Sequence, residues 1–521
     1  MRLHNTLSGR VEEFTPRDNR VLMYVCGITP YAESHLGHAM SYIVFDVLRR
    51  YLEFKGYDVR HVQNYTDVDD KLIARAEQDG VPMATIAERH IAAFERDAAE
   101  LNILPAHLYP RASQEVPAIV EMIQRLVDKG YAYAGPPKGG GEASDVYYRV
   151  ERKADYGKLS GRSLESMVAG ARIEPLEGKE NPMDFTLWKA AKPGEPFWPS
   201  PWGPGRPGWH IECSAMSLSH LGPQIDIHGG GLDLLFPHHE NEIAQTEAYT
   251  DQVPFSRFWV HNGLLQLGAE KMSKSLGNLI TMREGLDRYG ADALRVFVLS
   301  SGYRSPLTNS EEALAAARSA TERLRNAVEA KDTGAGEAVD AAPYRERFVA
   351  AMEDDLNTAQ ALAALFDLAR EVNRSRDGGR PVAGGQATLR ELAGVLGLRL
   401  ETRGVTVVPG TAQLKIATFP PIVRVTPALS AELIAGLRHL VSELAGAAIT
   451  TQPDVAERLR SLDIGDDSVT AHNAITDLVA LRRELREAKQ YALADRIRAA
   501  LGELGIVLED TPSGTTWKTS R

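Results

Sequence analysis

At 521 residues the chain exceeds one comfortable hydrophobic core, so roughly two to four domains are expected. Its 43% hydrophobic and 25% charged content is ordinary for a globular protein, and no stretch approaches the roughly 18 apolar residues of a membrane span. A net charge of −11 argues against a surface coated with basic groups for nonspecific nucleic-acid binding, while leaving room for a local RNA patch.

Met1 to Thr15 carries charges and no apolar run, so no secretory signal is expected, and a cytoplasmic enzyme is the default. Val21 to Cys26 reads as a buried strand, Tyr42 to Phe54 as a helix, and Asp58 to Val62 as the next strand. Strand–helix–strand implies a parallel pair, and Asn64 to Lys71 is a polar loop where open α/β sheets place ligands. Val116 to Lys129 is helical. The Gly/Pro-rich stretch Gly135 to Gly141 and a strand-like Asp145 to Val150 follow, suggesting an insertion before the sheet resumes near Gly208. Helical patterns occupy Asp287 to Val328 and Pro343 to Asn373, the proline fitting a first turn. Gly378-Gly379 and Gly384-Gly385 are expected to break helices. Val405 to Val425 has strand-like runs, and a long helix is expected from about Ala471 to Gly505.

Two short strings carry chemistry. His35-Leu36-Gly37-His38 sits where a strand turns into a helix, putting two imidazoles on one face of the first turn, beside backbone amides that can hold an anion. Lys271-Met272-Ser273-Lys274-Ser275 packs two ammonium groups and two hydroxyls around a methionine, a composition suited to a loop that clamps a polyphosphate. A third region runs through Gly208-Trp209-His210-Ile211-Glu212-Cys213, Asp226 to Asp233 and Phe236 to Glu242. Pro237 suits the start of a helix on which His238 and Glu242, four apart, project from one face at metal-ligand spacing. His239 with Glu242 is a poorer pair. The only two cysteines, Cys26 and Cys213, lie far apart. In a cytosolic chain a structural disulfide is not expected, and their thiolates would complete a mixed sulfur, nitrogen and oxygen set suited to zinc. The bland alternative, inert buried thiols and polar helix starts, is favoured for each residue taken singly. Six of the 14 histidines crowd into these regions, which favours zinc for the set.

The histidine and K-M-S-K-S strings together resemble the signature pair of class I aminoacyl-tRNA synthetases. The resemblance narrows to the cysteinyl-tRNA synthetase family through Cys26-Gly27, Asn64-Tyr65-Thr66-Asp67-Val68-Asp69-Asp70-Lys71, Trp209 to Met216 and Asp226 to Gln245. It covers most of residues 20 to 375 and returns from about Leu478 to Trp517. It implies an α/β fold: a Rossmann-type parallel-sheet catalytic domain with an inserted subdomain, followed by a mainly helical C-terminal half. The domains expected are the first half of the catalytic domain (1–95), a connective insertion (96–205) and the second half (206–265). A signature-loop and stem-contact region (266–315), a helical bundle (316–400), an unassigned extra segment (401–470) and a C-terminal anticodon-binding module (471–521) follow.

The resemblance implies one zinc per chain on Cys26, Cys213, His238 and Glu242, and the resemblance alone selects Cys26. It implies catalytic roles for His35, His38, Lys271 and Lys274, ATP binding by His35, His38, Ser273, Lys274 and His228 with magnesium, and an amino-acid pocket lined by Gly27, Thr66, Trp209 and Asp233. Core packing is an equal alternative for Trp209. The partners implied are L-cysteine, ATP and cysteine tRNA, in a monomer without membrane association. On the C-terminal helix Arg482, Arg486 and Lys489 would form one tRNA-facing stripe, with Trp517 beyond it. A ligase joining cysteine to a small amine would keep zinc, ATP and both signatures without needing the terminal module. Intact His35, His38, Lys271 and Lys274 weigh against a non-catalytic RNA- or metal-binding relative.

Overall fold

The computed structural model describes residues 1–17, 19–137, 143–163, 178–267, 270–271, 280–331 and 334–401. Beyond these it describes 441, 478–479, 481–482, 485, 491–503, 506–511 and 514–519. The chain divides into two compact units, Met1–Val405 and Thr406–Arg521.

The first unit is organised by a four-stranded parallel sheet. Its strands are β3 (Arg20–Ile28), β4 (Asp58–Tyr65), β9 (Ile225–Gly231) and β10 (Ser256–Asn262), in the order β10-β9-β3-β4. β3 is buried on both faces, which is why Val21 to Val25 reads as a continuous apolar run rather than an alternating one. Helix α1 (Leu36–Phe54) joins β3 to β4 and buries Ile43, Val44, Val47, Leu48 and Leu52 in the main core. It starts earlier than the apolar periodicity indicates, at the histidine pair itself. The α/β architecture expected from the sequence is therefore present, and the carboxyl ends of β3, β4, β9 and β10 converge on one edge.

Between the two halves of that sheet, α4 (Val116–Asp128) precedes an antiparallel sheet of β5 (Ala132–Pro137), β6 (Ser144–Tyr148), β7 (Phe185–Ala190) and β8 (Gly205–Pro207). β5 takes in Gly135 and Pro136, which the composition alone assigns to a Gly/Pro-rich connection. After β10 come α7 (Met282–Tyr289) and α8 (Ala291–Leu299), then β13 (Leu307–Asn309), a short strand inside the stretch expected to be helical throughout. α9 (Glu311–Glu329), α10 (Ala342–Glu353), α11 (Thr358–Asp377) and α12 (Ala383–Val395) complete this unit. Gly378 caps α11, but Gly384 and Gly385 lie inside α12 rather than breaking it. A Cβ on Gly385 would lie 3.0 Å from Val372 and 3.1 Å from Val339, so the glycine lets α12 pack tightly where its low propensity would argue against a helix.

One buried ion pair ties α1 to the helical region. Arg295 on α8 and Asp46 on α1 are paired with no side-chain exposure. Arg295 also donates from Nε to the Leu396 carbonyl at 2.9 Å and from Nη1 to that of Leu101 at 3.0 Å. Gly397 passes close by at φ +69, where a Cβ would lie 2.1 Å from the Arg295 guanidinium. Asp46→Ala leaves that guanidinium buried without its counter-charge. It is expected to cost about 3–5 kcal/mol in a denaturant titration, and an unchanged midpoint would show that the pair is not a structural link.

In the second unit the described segments include α13 (Tyr491–Glu503) and a hairpin of β14 (Ile506–Thr511) with β15 (Gly514–Thr519). Arg482 is only 1% exposed, with Leu478, Leu481 and Leu485 buried near it in sequence. A buried Arg482 does not fit the first place in the expected tRNA-facing stripe. Arg486 and Lys489 lie outside the described residues, as does most of 401–470. Trp517 sits on β15 opposite Leu508. Among the described residues no helix is long and apolar enough to cross a membrane.

Candidate active site

At the edge where the strands end, a cleft of about 420 Å³ is lined by Gly27, His35, His38, Trp209 and Asp233, among others. The crossing of β3 past β4 there demands a glycine. A Cβ on Gly27 would lie 1.5 Å from the Asn64 carbonyl oxygen. Asn64 Oδ1 also accepts from the Gly27 amide at 2.9 Å, and its Nδ2 donates to Thr66 Oγ1 at 3.1 Å. Thr66, expected to line the amino-acid pocket, is 3% exposed and holds Asn64 from behind.

The histidine pair caps α1. His35 Nδ1 accepts from the Gly37 amide, and His38 Nδ1 accepts from the His35 amide, each at 3.1 Å, while the rings stack at 3.9 Å. The Leu36 amide donates to the Ile280 carbonyl at 3.0 Å. These backbone amides, expected to be open for an anion, are thus already engaged. A neutral imidazole accepting at Nδ1 carries its hydrogen at Nε2, so each ring has a donor nitrogen there. Lys271 ends the short strand β12 (Glu270–Lys271), and Met272 to Ser275, with Ser273 and Lys274, lie outside the described residues.

Behind the cleft wall, β3 and β9 bring together groups far apart in sequence. Donor atoms of Cys26, Cys213, His238 and Glu242 all lie within 4.8 Å of one another. Cys26 leaves the end of β3, Cys213 comes from α5 (Trp209–Leu221), and Glu242 lies in the first turn of α6 (Glu240–Thr250). His238 lies just before α6, which begins three residues later than Pro237 suggests. Its Nε2 is still only 3.1 Å from Glu242 Oε1. The two sulfurs are 3.9 Å apart.

The buried groups of this pocket strongly shift one another's charge states. Burial pushes Glu242 upward, yet His228 and His238 outweigh it and hold the carboxyl well below the usual carboxylate range. Burial opposes charge on His238 too, but Glu242 and Cys213 raise its pKa to about 10. The hydrogen bond from Cys26 lowers the Cys213 thiol to about 6 against burial, whereas burial pushes Cys26 itself up. Glu242 Oε2 is buried without a hydrogen bond, although His228 Nε2 is 3.3 Å away in an unsuitable orientation. Two sulfurs, one imidazole and one carboxylate with an orphaned oxygen are a donor set that fits zinc.

The surroundings orient these groups. His210, half-buried, is held neutral by desolvation, and its Nδ1 lies 2.9 Å from His238 Nδ1, so it can accept from His238 Nδ1–H when Nε2, 3.1 Å from Glu242 Oε1, serves as the ligand atom. Trp209, 40% exposed, stacks on the His238 ring at 4.3 Å and so joins the cleft to the cluster. His228, expected to bind ATP, has no exposed surface, stacks on Trp259 at 4.3 Å and belongs with Cys26, His239 and Glu242 instead. Sequence reasoning gave no role to Asn64 or His261 and counted His210 only among the histidines of the third region. For Asn64 a signal existed, since it opens the polar string Asn64 to Lys71 at the end of β4. For His261 only the fold supplies one.

A family description, tRNA synthetases class I (C) catalytic domain, matches residues 13–319, and the DALR domain matches residues 347–401. A cysteine–tRNA ligase of Dehalococcoides mccartyi is 53% identical, with 99% of each chain covered. The ligase of that name from Aquifex aeolicus is 44% identical over 99% of each. Among solved structures, Mycobacterium tuberculosis methionyl-tRNA synthetase in complex with methionyl-adenylate shares the fold at a TM-score of 0.53 and 20% identity, over 72% of this chain and 88% of that one. With the cleft, the histidine cap and the thiol–imidazole–carboxylate cluster in place, these similarities establish that the chain belongs to the cysteine–tRNA ligase family of class I aminoacyl-tRNA synthetases.

Proposed function

We propose that the chain activates L-cysteine with ATP and passes the cysteinyl group to the 3′-terminal ribose of cysteine tRNA. The observation that carries this reading is the contact between cleft and cluster: Cys26 and Trp209 line the cleft, and Trp209 stacks on His238. In the first step a cysteine carboxylate oxygen attacks the α-phosphorus of magnesium-bound ATP, and pyrophosphate leaves. In the second a ribose hydroxyl attacks the carbonyl carbon of the adenylate, and AMP leaves. Such chemistry is mostly positioning and stabilisation of charge.

The Nε2–H groups of His35 and His38 donate to phosphate oxygens, and the Lys274 ammonium, with Lys271 and Ser273, meets charge growing on the leaving pyrophosphate. Asp233 offers its carboxylate to the substrate's α-ammonium group, with the Gly27 backbone lining the pocket beside it. Trp209 covers the pocket and excludes water. Cys26, Cys213, His238 and Glu242 hold one zinc, which when bound supplies a soft Lewis acid that prefers a thiolate to a hydroxyl. Cytoplasmic location and a single-chain form complete the reading.

The test is ATP–pyrophosphate exchange. Cysteine is expected to support it, and serine at equal concentration is expected to give less than about a hundredth of that rate. That exceeds what an apolar pocket achieves against a near-isostere. Comparable exchange with both amino acids would refute selection by sulfur. Charging of tRNA then separates a synthetase from a ligase that joins cysteine to a small amine. The match of relatives over 99% of the chain, through the terminal residues, favours the synthetase.

A further inference from the structure

The thiol cluster has a second flank. His239 Nε2 lies 3.3 Å from Cys26 Sγ, and its Nδ1 lies 2.8 Å from Nε2 of His261. His261 Nδ1 in turn lies 2.9 Å from Thr6 Oγ1. Thr6 follows β1 (Arg2–Asn5) and is fixed by its amide, which donates to the Trp259 carbonyl at 2.8 Å. An unbranched line of contacts therefore runs from a buried sulfur to a half-buried hydroxyl, through residues from four separate parts of the chain. Both nitrogens of both rings are engaged in it, so two deeply buried imidazoles are fully satisfied.

A neutral imidazole donates at one nitrogen and accepts at the other, so the line has only two self-consistent polarities. In the first, Thr6 O–H donates to His261, His261 Nε2–H to His239, and His239 Nε2–H to the Cys26 sulfur. In the second, every hydrogen points the other way and Cys26 must be a thiol donating to His239. A metal-bound cysteine is a thiolate with no hydrogen to give. Only the first polarity is compatible with it.

We propose that Thr6 and His261 are positioning residues for the metal centre, locking His239 in the tautomer whose Nε2–H donates to the Cys26 thiolate. This rests on the reading of Cys26 as a metal ligand. His210 does for the ligand His238 what this line does for the ligand sulfur. Its role is to hold Cys26 oriented and to offset part of its negative charge, as outer partners of metal ligands generally do.

The test uses the full chain with Thr6→Val, which keeps the shape and removes the hydroxyl, and Thr6→Ser, which restores it. Two signals are read: the sulfur-to-metal charge-transfer band of the cobalt(II)-substituted protein, and the rate of zinc transfer to a chromophoric chelator. In Thr6→Val the band is expected at longer wavelength, because a thiolate without its donor is easier to oxidise. Zinc loss is expected to be about tenfold faster, the lower end of the effect of losing an outer partner. Thr6→Ser is expected to match the native protein in both. If Thr6→Val leaves band and rate unchanged, or if Thr6→Ser fails to restore them, the inference is wrong. Should Thr6→Val melt early, His261→Gln probes the next link, and an unmoved band there overturns the inference equally. Full zinc retention by Cys26→Ala would instead overturn the underlying ligand assignment, so the two failures remain distinct.

Discussion

Cys213→Ala is expected to emerge from purification with almost no zinc, where the native chain is expected to carry about one per molecule, and to activate cysteine more than about a hundredfold more slowly. The bound is conservative, since altering an outer partner of a ligand already costs about 10–100-fold. Cys213 is 1% exposed and Glu242 fully buried, so without a cation the remaining charges have no solvent to turn to. The thiol is small, and its loss should leave the parallel sheet intact by circular dichroism. Elemental analysis decides the matter. A variant with a full complement of zinc would falsify the ligand set, whatever its activity. Cys213→Ser sharpens the test, because it keeps the volume and replaces a soft donor with a hard one. It should behave like the alanine variant if sulfur matters and like the native chain if shape does.

The parts of this site that could be read in the sequence are those whose chemistry is local. The His35–His38 spacing reports a first helical turn, and His238–Glu242 reports one helix face, even though that helix starts at Glu240. Cys26 is different in kind. Nothing links it to Cys213 until β3 lies beside β9, with Tyr24 opposite His228, and that register is a tertiary fact. The same holds for His261 and Thr6, which meet because β10 lies at the sheet edge and Thr6 bonds to the backbone of Trp259. Two local misreadings have local causes. Gly384-Gly385 looks like a helix break because glycine propensity is poor, yet packing against Val372 needs the missing Cβ. β13 is only three residues long and exists to pair with β11 (Leu265–Leu267), too short a segment to show a period of its own, although Gly302 and Pro306 flag the interruption.

Cutting the chain after Val405 is expected to separate the two half-reactions. Every described residue of the cleft and of the thiol cluster lies in the first unit, Met1–Val405, which has its own core and includes the DALR match at 347–401. Cysteine-dependent ATP–pyrophosphate exchange should therefore persist within about threefold, since a cut outside the reacting region removes no interaction made in the transition state. Charging of tRNA should fall by more than about tenfold, because phosphate and base contacts supplied by a second module contribute affinity that the catalytic unit alone cannot replace. Circular dichroism and the midpoint of thermal unfolding would verify that the shortened protein is folded. Binding of tRNA by the intact chain should weaken as salt is raised, and the shortened chain should show a shallower salt slope, having fewer phosphates to neutralise. Because Arg482 is buried, its substitution is a poor substitute for this cut: it would disturb a buried site before it reported on RNA. If the shortened chain charges tRNA as fast as the full one, residues 406–521 are not an RNA contact, and recognition of the acceptor must reside in the first unit.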